Sequence, residues 1–319
     1  ALLEESLSLR PEDTNNVLSY ANTVSMYLEV PDALAIVDGL IQSHPELGDL
    51  LIFKSWLLSD QWAYADALAA VQQALALAKE QDGELTWYYW QQYDIQTRMG
   101  DFAQALKSLN RALSPSDELA NYLERVDLQM WHLHNLPAAL EDLNALASKY
   151  GNDAQILYLR TLVHLRLEQY EEARADADAV TGDEALALFL KGICALYEEK
   201  AGEAAEAMDA FLAQSPDDLA GLLYRAILAI SLEDDLPATV DFAQRAIAVD
   251  PQSADAYRLL GEAYEDMGQW TQAETAYRLR TIPPPPFPSP CFCWPGIGPK
   301  RRWPCWRGRN ASIPIGTRP

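Results

Sequence analysis

The sequence predicts an all-α fold, a solenoid of antiparallel helix pairs stacked in series. Three observations predict it. The 319-residue chain resembles itself at a spacing near 34 residues, with units beginning at Thr14, Gly48, Thr86, Ala120, Ala154, Ala185, Ala220 and Ala254. When each unit is counted from its first residue as slot 1, slot 20 is small in every unit: Ala33, Ala67, Ala105, Ala139, Ala173, Ala204, Thr239 and Ala273. Within the units, apolar residues recur at i, i+3, i+4 and i+7, which is the period of a helix with one buried stripe and not that of a strand.

The elements follow in order. Residues 1–11, ALLEESLSLRP, fit slots 22–32 of a unit that would begin before Ala1. Residues 1–13 are therefore expected to be the remnant of a second helix, in a chain that lacks its native start, and no compartment follows. The first unit places Val17 at slot 4 and Val30 at slot 17 and ends on Pro45 at slot 32. The next three place Leu51 and Tyr64, Tyr89 and Phe102, and Leu123 and Leu136 at those two slots. Leu157 with Tyr170 and Leu188 with Ala201 follow, then Leu223 with Leu236 and Tyr257 with Trp270. Pro216 and Pro251 again fall at slot 32, between units, where a helix would have to stop. A small residue at slot 20 lets the second helix approach the first, and slots 4, 11, 24 and 27 fill the seam. One pair cannot bury its apolar face alone, so neighbouring units must stack.

This grammar runs to Arg280 and stops. Residues 281–319 hold 11 of the 19 prolines, three of the four cysteines, six Lys/Arg and no acid. Three readings of this tail stand: a segment in a foreign reading frame, a disordered linker or polyproline ligand, and a metal site from Cys291, Cys293 and Cys305. Three cysteines without a paired spacing make a poor zinc site, so the tail is read as unstructured and its native status is left open. The eight units over 14–280 then end without the polar capping helix that usually covers a last apolar face.

The period and the slots resemble the tetratricopeptide repeat, a helix–turn–helix unit of 34 residues. The last unit carries the resemblance best, with Tyr257, Leu260, Gly261, Tyr264, Ala273 and Tyr277 in the signature slots. The chain departs from the family at slot 8, where Tyr93, Asp127 and Ile227 replace a small residue. The resemblance implies a right-handed superhelix whose first helices line a concave groove, with slots 2, 5, 9 and 12 facing a bound peptide or helix. Carried over, the groove residues are Asn15, Asn22, Ile52, Trp56, Trp87, Trp90, Asp94, Tyr158, Phe189 and Tyr224. The run TWYYWQQYD at 86–94 is the sharpest local feature, with Tyr89 and Tyr93 at seam slots and Trp87 and Trp90 one turn apart. Tryptophan gives large rigid contact area at low entropic cost, while an aromatic stripe can equally be core. Trp56→Ala and Trp90→Ala are expected to weaken a partner with little loss of stability if both indoles face the groove.

Charge narrows the partner. The chain has 24 Lys+Arg against 47 Asp+Glu, a net −23, and 1–280 alone carry 18 against 47, or −29. A surface this acidic repels phosphates, which disfavours nucleic acid and anionic membrane. No apolar run is long enough to insert into a bilayer. Repeats of this family that clamp a chaperone's C-terminal carboxylate need a cationic cluster, yet slot 5 here reads Leu18, Ile52, Trp90 and Glu124. The expected partner is a protein or peptide segment, neutral or basic and aromatic-compatible.

No catalytic constellation is present. His132, His134 and His164 are read as seam or core residues, and Cys194 at slot 10 as buried and inert. Glu198-Glu199 and Asp234-Asp235 fall in turns as solvated surface, and there is no phosphate loop or nucleophile motif. The expectation is a non-catalytic interaction scaffold that needs no cofactor or metal. The alternative is a regulatory or substrate-recruiting region of a larger enzyme or sensor. Self-association through the uncapped last repeat is the weakest of the readings.

Overall fold

A computed structural model describes residues 13–81, 83–114 and 118–280. The expectations for 1–12 and for 281–319, including its three cysteines, lie outside the described residues. Those residues form 16 α-helices and no strand, so the fold is an all-α array of helix pairs. They fall into two compact units, the first ending at Asn135 and the second beginning at Leu136.

In the first unit the pairs are α1 (Thr14–Tyr27) with α2 (Val30–Ser43), α3 (Gly48–Asp60) with α4 (Tyr64–Glu80), and α5 (Thr86–Arg98) with α6 (Phe102–Ala112). Helix α7 (Leu119–Asp127) follows and runs into a π turn, Leu128–His132. The second unit starts with α8 (Leu136–Tyr150) and continues with α9 (Ala154–Arg166), α10 (Tyr170–Ala179), α11 (Glu184–Tyr197) and α12 (Ala201–Gln214). Then come α13 (Leu219–Leu228) with its π turn Ala229–Glu233, α14 (Leu236–Val249), α15 (Ala254–Asp266) and α16 (Trp270–Arg280).

Local chemistry starts most of the first helices. Asp13, Asp153, Asp183 and Asp218 each accept a hydrogen bond from a free backbone N–H of the first turn of α1, α9, α11 and α13, and Ser253 does so for α15. Packing does the rest. Ala33, Ala67, Ala105, Ala139, Ala173, Ala204, Thr239 and Ala273 are all 3% exposed or less, as close approach of paired helices requires. Slot 8 makes the complementary contact. A Cβ added to Gly192 would come within 2.6 Å of Met208 Cε, and one added to Gly261 would strike the Tyr277 ring. Where slot 8 is Asp127 or Ile227 instead, the helix passes straight into a π turn, whereas the Tyr93 helix stays α.

Successive pairs are also tied by one recurring polar link, from slot 25 to slot 6 or 7 of the next pair. In the first unit these are Asp38–Lys54 at 2.8 Å and Asn110–Arg125 at 3.2 Å. In the second they are Asn144–Arg160 at 3.3 Å, Asp178–Lys191 at 3.1 Å and Asp209–Arg225 at 2.7 Å. Apart from Asp209–Arg225, whose guanidinium is buried, such surface pairs contribute at most about 1 kcal/mol each, so they set register more than stability.

The turn within every pair after the first has a common backbone, whereas Leu28 at the same slot of the first pair is extended, with φ −97°. Trp62, Gly100, His134, Glu168, Glu199, Asp234 and Gly268, all at slot 15, have φ between 51° and 75°. Next to two of them, Lys200 N–H donates to Ala195 O at 2.8 Å and Gln169 N–H to His164 O at 2.9 Å, closing the ends of α11 and α9. A side chain at such a position strains the backbone by about 1 kcal/mol, and an acid also meets the negative end of the helix dipole. Glu168→Gly and Glu199→Gly should therefore each raise stability by about 1 kcal/mol. The check is a higher urea midpoint with an unchanged slope.

Candidate partner-binding face

In the first unit, the run TWYYWQQYD folds as α5 although aromatic residues are mediocre helix formers, because packing outweighs propensity. The Trp56 indole of α3 stands edge-on to Phe53 (centroids 5.3 Å) and to Trp87 (6.4 Å), and its Nε1 donates to Gln91 Oε1 at 2.6 Å. Tyr88 donates to Asp49 Oδ1 at 3.0 Å, a second tie between α3 and α5. Trp90 packs edge-on to Tyr93 at 5.6 Å and against the cluster of Ala105, Leu109 and Leu128. Of these three indoles Trp87 is left most open, at 40% exposed, while Trp56 and Trp90 are half-buried; Trp62 of the same unit, at 62%, is more open still.

The expected groove residues therefore divide. Asn15 and Asp94 are exposed and Asn22 is half-buried. Asp94 pairs with Arg98 at 2.9 Å. Ile52 has no exposed surface, so it packs the core beneath the face and cannot touch a partner directly. Trp56 and Trp90 are committed to packing as well, and truncating either removes internal contacts. Trp56→Ala and Trp90→Ala are therefore expected to cost stability, where the sequence predicted little loss.

Beside the indoles lies a pair of half-buried carboxylates. Tyr93 Oη donates to Glu124 Oε2 at 2.9 Å, and burial followed by the Glu124 charge pushes the phenol far above its ordinary range. Burial also raises Glu124. Asp127 rises to about 7, through burial first and the Glu124 charge second, partly offset by a hydrogen bond from Trp131. Trp131, at slot 12 and 49% exposed, escaped the sequence reading. The signal for it is its slot, because slot 12 belongs to the groove set that the family resemblance implies.

In the second unit, Phe189 is fully buried, with Tyr158 stacked on it at 6.4 Å and 7°, Phe211 tilted at 5.1 Å and Tyr224 edge-on at 5.6 Å. Phe189 is thus the centre of an aromatic core and offers a partner no surface. Tyr158 and Tyr224 flank it half-buried, and burial lifts the Tyr224 hydroxyl to about 12. At the last helix, Glu274 and Arg278 pair at 2.6 Å beside Trp270, which is 66% exposed.

The histidines hold structural positions. His132 stacks on Phe102 at 4.1 Å, and burial, then His134, lowers its pKa. His164 Nδ1 lies 2.7 Å from Gln169 Oε1, and its Nε2 is 3.7 Å from Asp176. Arg160 clamps the same Asp176 with two hydrogen bonds, at 2.8 and 2.5 Å. Cys194 is buried, and burial pushes its thiol up to about 12, which removes it as a nucleophile at neutral pH. Among the described residues, no His, Cys, Asp and Glu groups have metal-binding geometry, and no helix is long and apolar enough to cross a membrane.

Two family models, both described as tetratricopeptide repeat, match residues 162–219 and 242–275. No curated protein matches the sequence. Among solved structures, a tetratricopeptide repeat protein from Parabacteroides merdae ATCC 43184 is 20% identical with a TM-score of 0.60, covering 73% of this chain and 91% of that one. PilW, a type IV pilus biogenesis factor, is 20% identical at a TM-score of 0.48, covering 61% and 91%. The Cut9–Hcn1 assembly of the APC/C is 15% identical at 0.47, covering 82% and 51%. At 20% identity the first speaks for the fold alone, and the other two, with TM-scores under 0.5, carry no argument. With two repeat models matched on its own residues and buried small residues pairing its helices, the chain carries tetratricopeptide repeats at 162–219 and 242–275 within an all-α array of helix pairs, a fold that in general serves as a protein-interaction scaffold.

Proposed function

We propose that the face of the first unit formed by α3, α5 and α7 holds a segment of another protein, with Trp87 as its anchor. The observation that carries this reading is the geometry of Trp87. Its indole is 40% exposed yet stands on Trp56, which Phe53 and the Gln91 hydrogen bond hold in place. An aromatic side chain that is open to solvent and already immobilised loses little entropy on binding, which is how interface hot spots work. Asp49, Asp94, Glu124 and Asp127 lie on the same three helices, so the occupant is neutral or basic.

Trp87→Ala is expected to weaken a purified partner by on the order of 2 kcal/mol, about thirtyfold in Kd, while the melting temperature hardly moves. Titration calorimetry beside a thermal melt reads both. An unchanged Kd for a partner that does bind this unit would overturn the assignment.

A further inference from the structure

Among the described residues of the first unit, every exposed large apolar side chain except Trp87 lies where a first helix ends. In the three pairs α1–α2, α3–α4 and α5–α6 these are Tyr27 with Leu28, Trp62, and Met99, all at slots 14 and 15. Trp131, on the π turn after α7, stands at the same end of its helix. Trp62 has the least ordinary backbone of them. Its φ of 62° lies in the left-handed region, where a bulky residue is an outlier and glycine fits best. Its ring stands edge-on to Tyr64, with centroids 6.0 Å apart. The strained turn thus holds a large apolar surface outward, in a fixed place, and not in a core.

Spacing and charge say what covers this edge. Successive first helices touch. Val17, Ala21 and Val24 of α1 share a cluster with Phe53 and Leu57 of α3, and Trp56 of α3 meets Trp87 of α5. Helix axes in such contact lie roughly 8–10 Å apart, so the row advances by about that distance per pair. Two turns of an α-helix cover about 11 Å, so a helical stripe repeating every seventh residue meets each pair once. An extended segment covers about 10 Å in three residues, and side chains three apart in a strand leave opposite faces, so it cannot match the row. Within residues 27–32, 60–66 and 98–101 there are five exposed acids, Glu29, Asp32, Asp60, Asp66 and Asp101. The one cation there, Arg98, pairs with Asp94. The edge therefore joins exposed apolar surface to negative charge.

We propose that this turn edge docks an amphipathic helix of another protein, with an apolar stripe and Lys or Arg beside it. Trp62 is the central anchor, Tyr27 with Leu28 and Met99 receive the two ends of the stripe, and the acids answer the cations. The site is separate from the Trp87 face and goes beyond the reading given for that face.

The test uses the full chain and a labelled synthetic peptide of about 20 residues, with Leu and Phe on one helical stripe and Lys and Arg beside it. One control has the same residues in scrambled order, and another keeps the stripe with Glu in place of each cation. Fluorescence anisotropy should show the stripe peptide bound roughly tenfold or more tightly than either control. Trp62→Gly removes the indole and suits the left-handed turn, so the affinity should fall about tenfold while the melting temperature holds or rises. Met99→Ser should weaken the peptide severalfold, and Trp87→Ala should leave it unchanged. Equal binding of the scrambled peptide, no binding of the stripe peptide at millimolar concentration, or an undiminished affinity in Trp62→Gly would each overturn the turn-edge site. Binding lost in Trp87→Ala and kept in Trp62→Gly would put the peptide on the other face and overturn it as well. A dimer in sedimentation that Trp62→Gly dissolves would give the edge to a second copy of this chain and overturn the heterologous helix.

Discussion

Phe189→Ala is expected to lower the stability of the second unit by about 3–5 kcal/mol, the cost of an aromatic deletion in a core that cannot close over the gap. Phe189 touches Tyr158, Phe211 and Tyr224, residues drawn from three different helix pairs, and none of the four can move inward without leaving its own seam. Arrays unfold by neighbouring units and not always in one step. The informative measurement is therefore amide exchange across α9 to α13, where protection should collapse, beside a urea midpoint. A variant as stable as the parent would mean that the ring is a surface element after all. The contrast with Trp87→Ala, where binding is expected to fall and stability to hold, separates the two aromatic clusters by function.

Asp127→Asn is expected to stabilise the first unit at pH 8 by about 2 kcal/mol and to make no difference near pH 4. The sign follows from the direction of the shift. Burial raises the folded Asp127 carboxyl to about 7, whereas an unfolded aspartate titrates near 4. The folded state therefore holds its proton more tightly, and the parent loses stability as the pH climbs from the unfolded to the folded pKa, then levels off. The full shift would correspond to about 4 kcal/mol, and partial solvent access brings the expectation to about half. Asparagine has no proton to lose and still accepts from Trp131. Urea melts at pH 4, 6 and 8 give the profile. Parallel curves for parent and variant would show that Asp127 is not held in the charged, buried state described.

The fold class was legible because periodicity is a property of the chain. Slot 20 is small in every unit, and all eight side chains are buried where paired helices approach closely. The turn at slot 15 was only half legible. Gly100 and Gly268 announce a left-handed residue, but Trp62, Glu168 and Glu199 adopt the same conformation with nothing in their identity to show it, because the hydrogen bonds that close the helix end impose it. The π turns after Asp127 and Ile227 were visible only as a departure from small residues at slot 8.

The face for a partner was less legible, for a specific reason. Ile52, Trp90, Tyr158, Phe189 and Tyr224 share slot 5, and the family pattern treats them alike. Ile52 and Phe189 are nevertheless wholly buried, while the others keep part of their surface. A slot fixes the direction in which a side chain leaves its own helix. It does not fix how much of that side chain the neighbouring pair covers, which depends on the bulk arriving from other units, as Phe211 and Tyr224 arrive on Phe189.

The sequence by itself thus determined the helical class, the repeat spacing, the acidic field and the absence of a nucleophile motif, because each is carried by local composition or by regular recurrence along the chain. Only the tertiary structure decided that Trp87 stands open on a held Trp56, that Ile52 and Phe189 are wholly buried, and that Tyr93 donates to Glu124. Those facts depend on contacts between residues about 30 or more positions apart, such as Trp56 with Trp87 and Tyr93 with Glu124, and their energies come from burial that no single helix possesses until its neighbours pack against it.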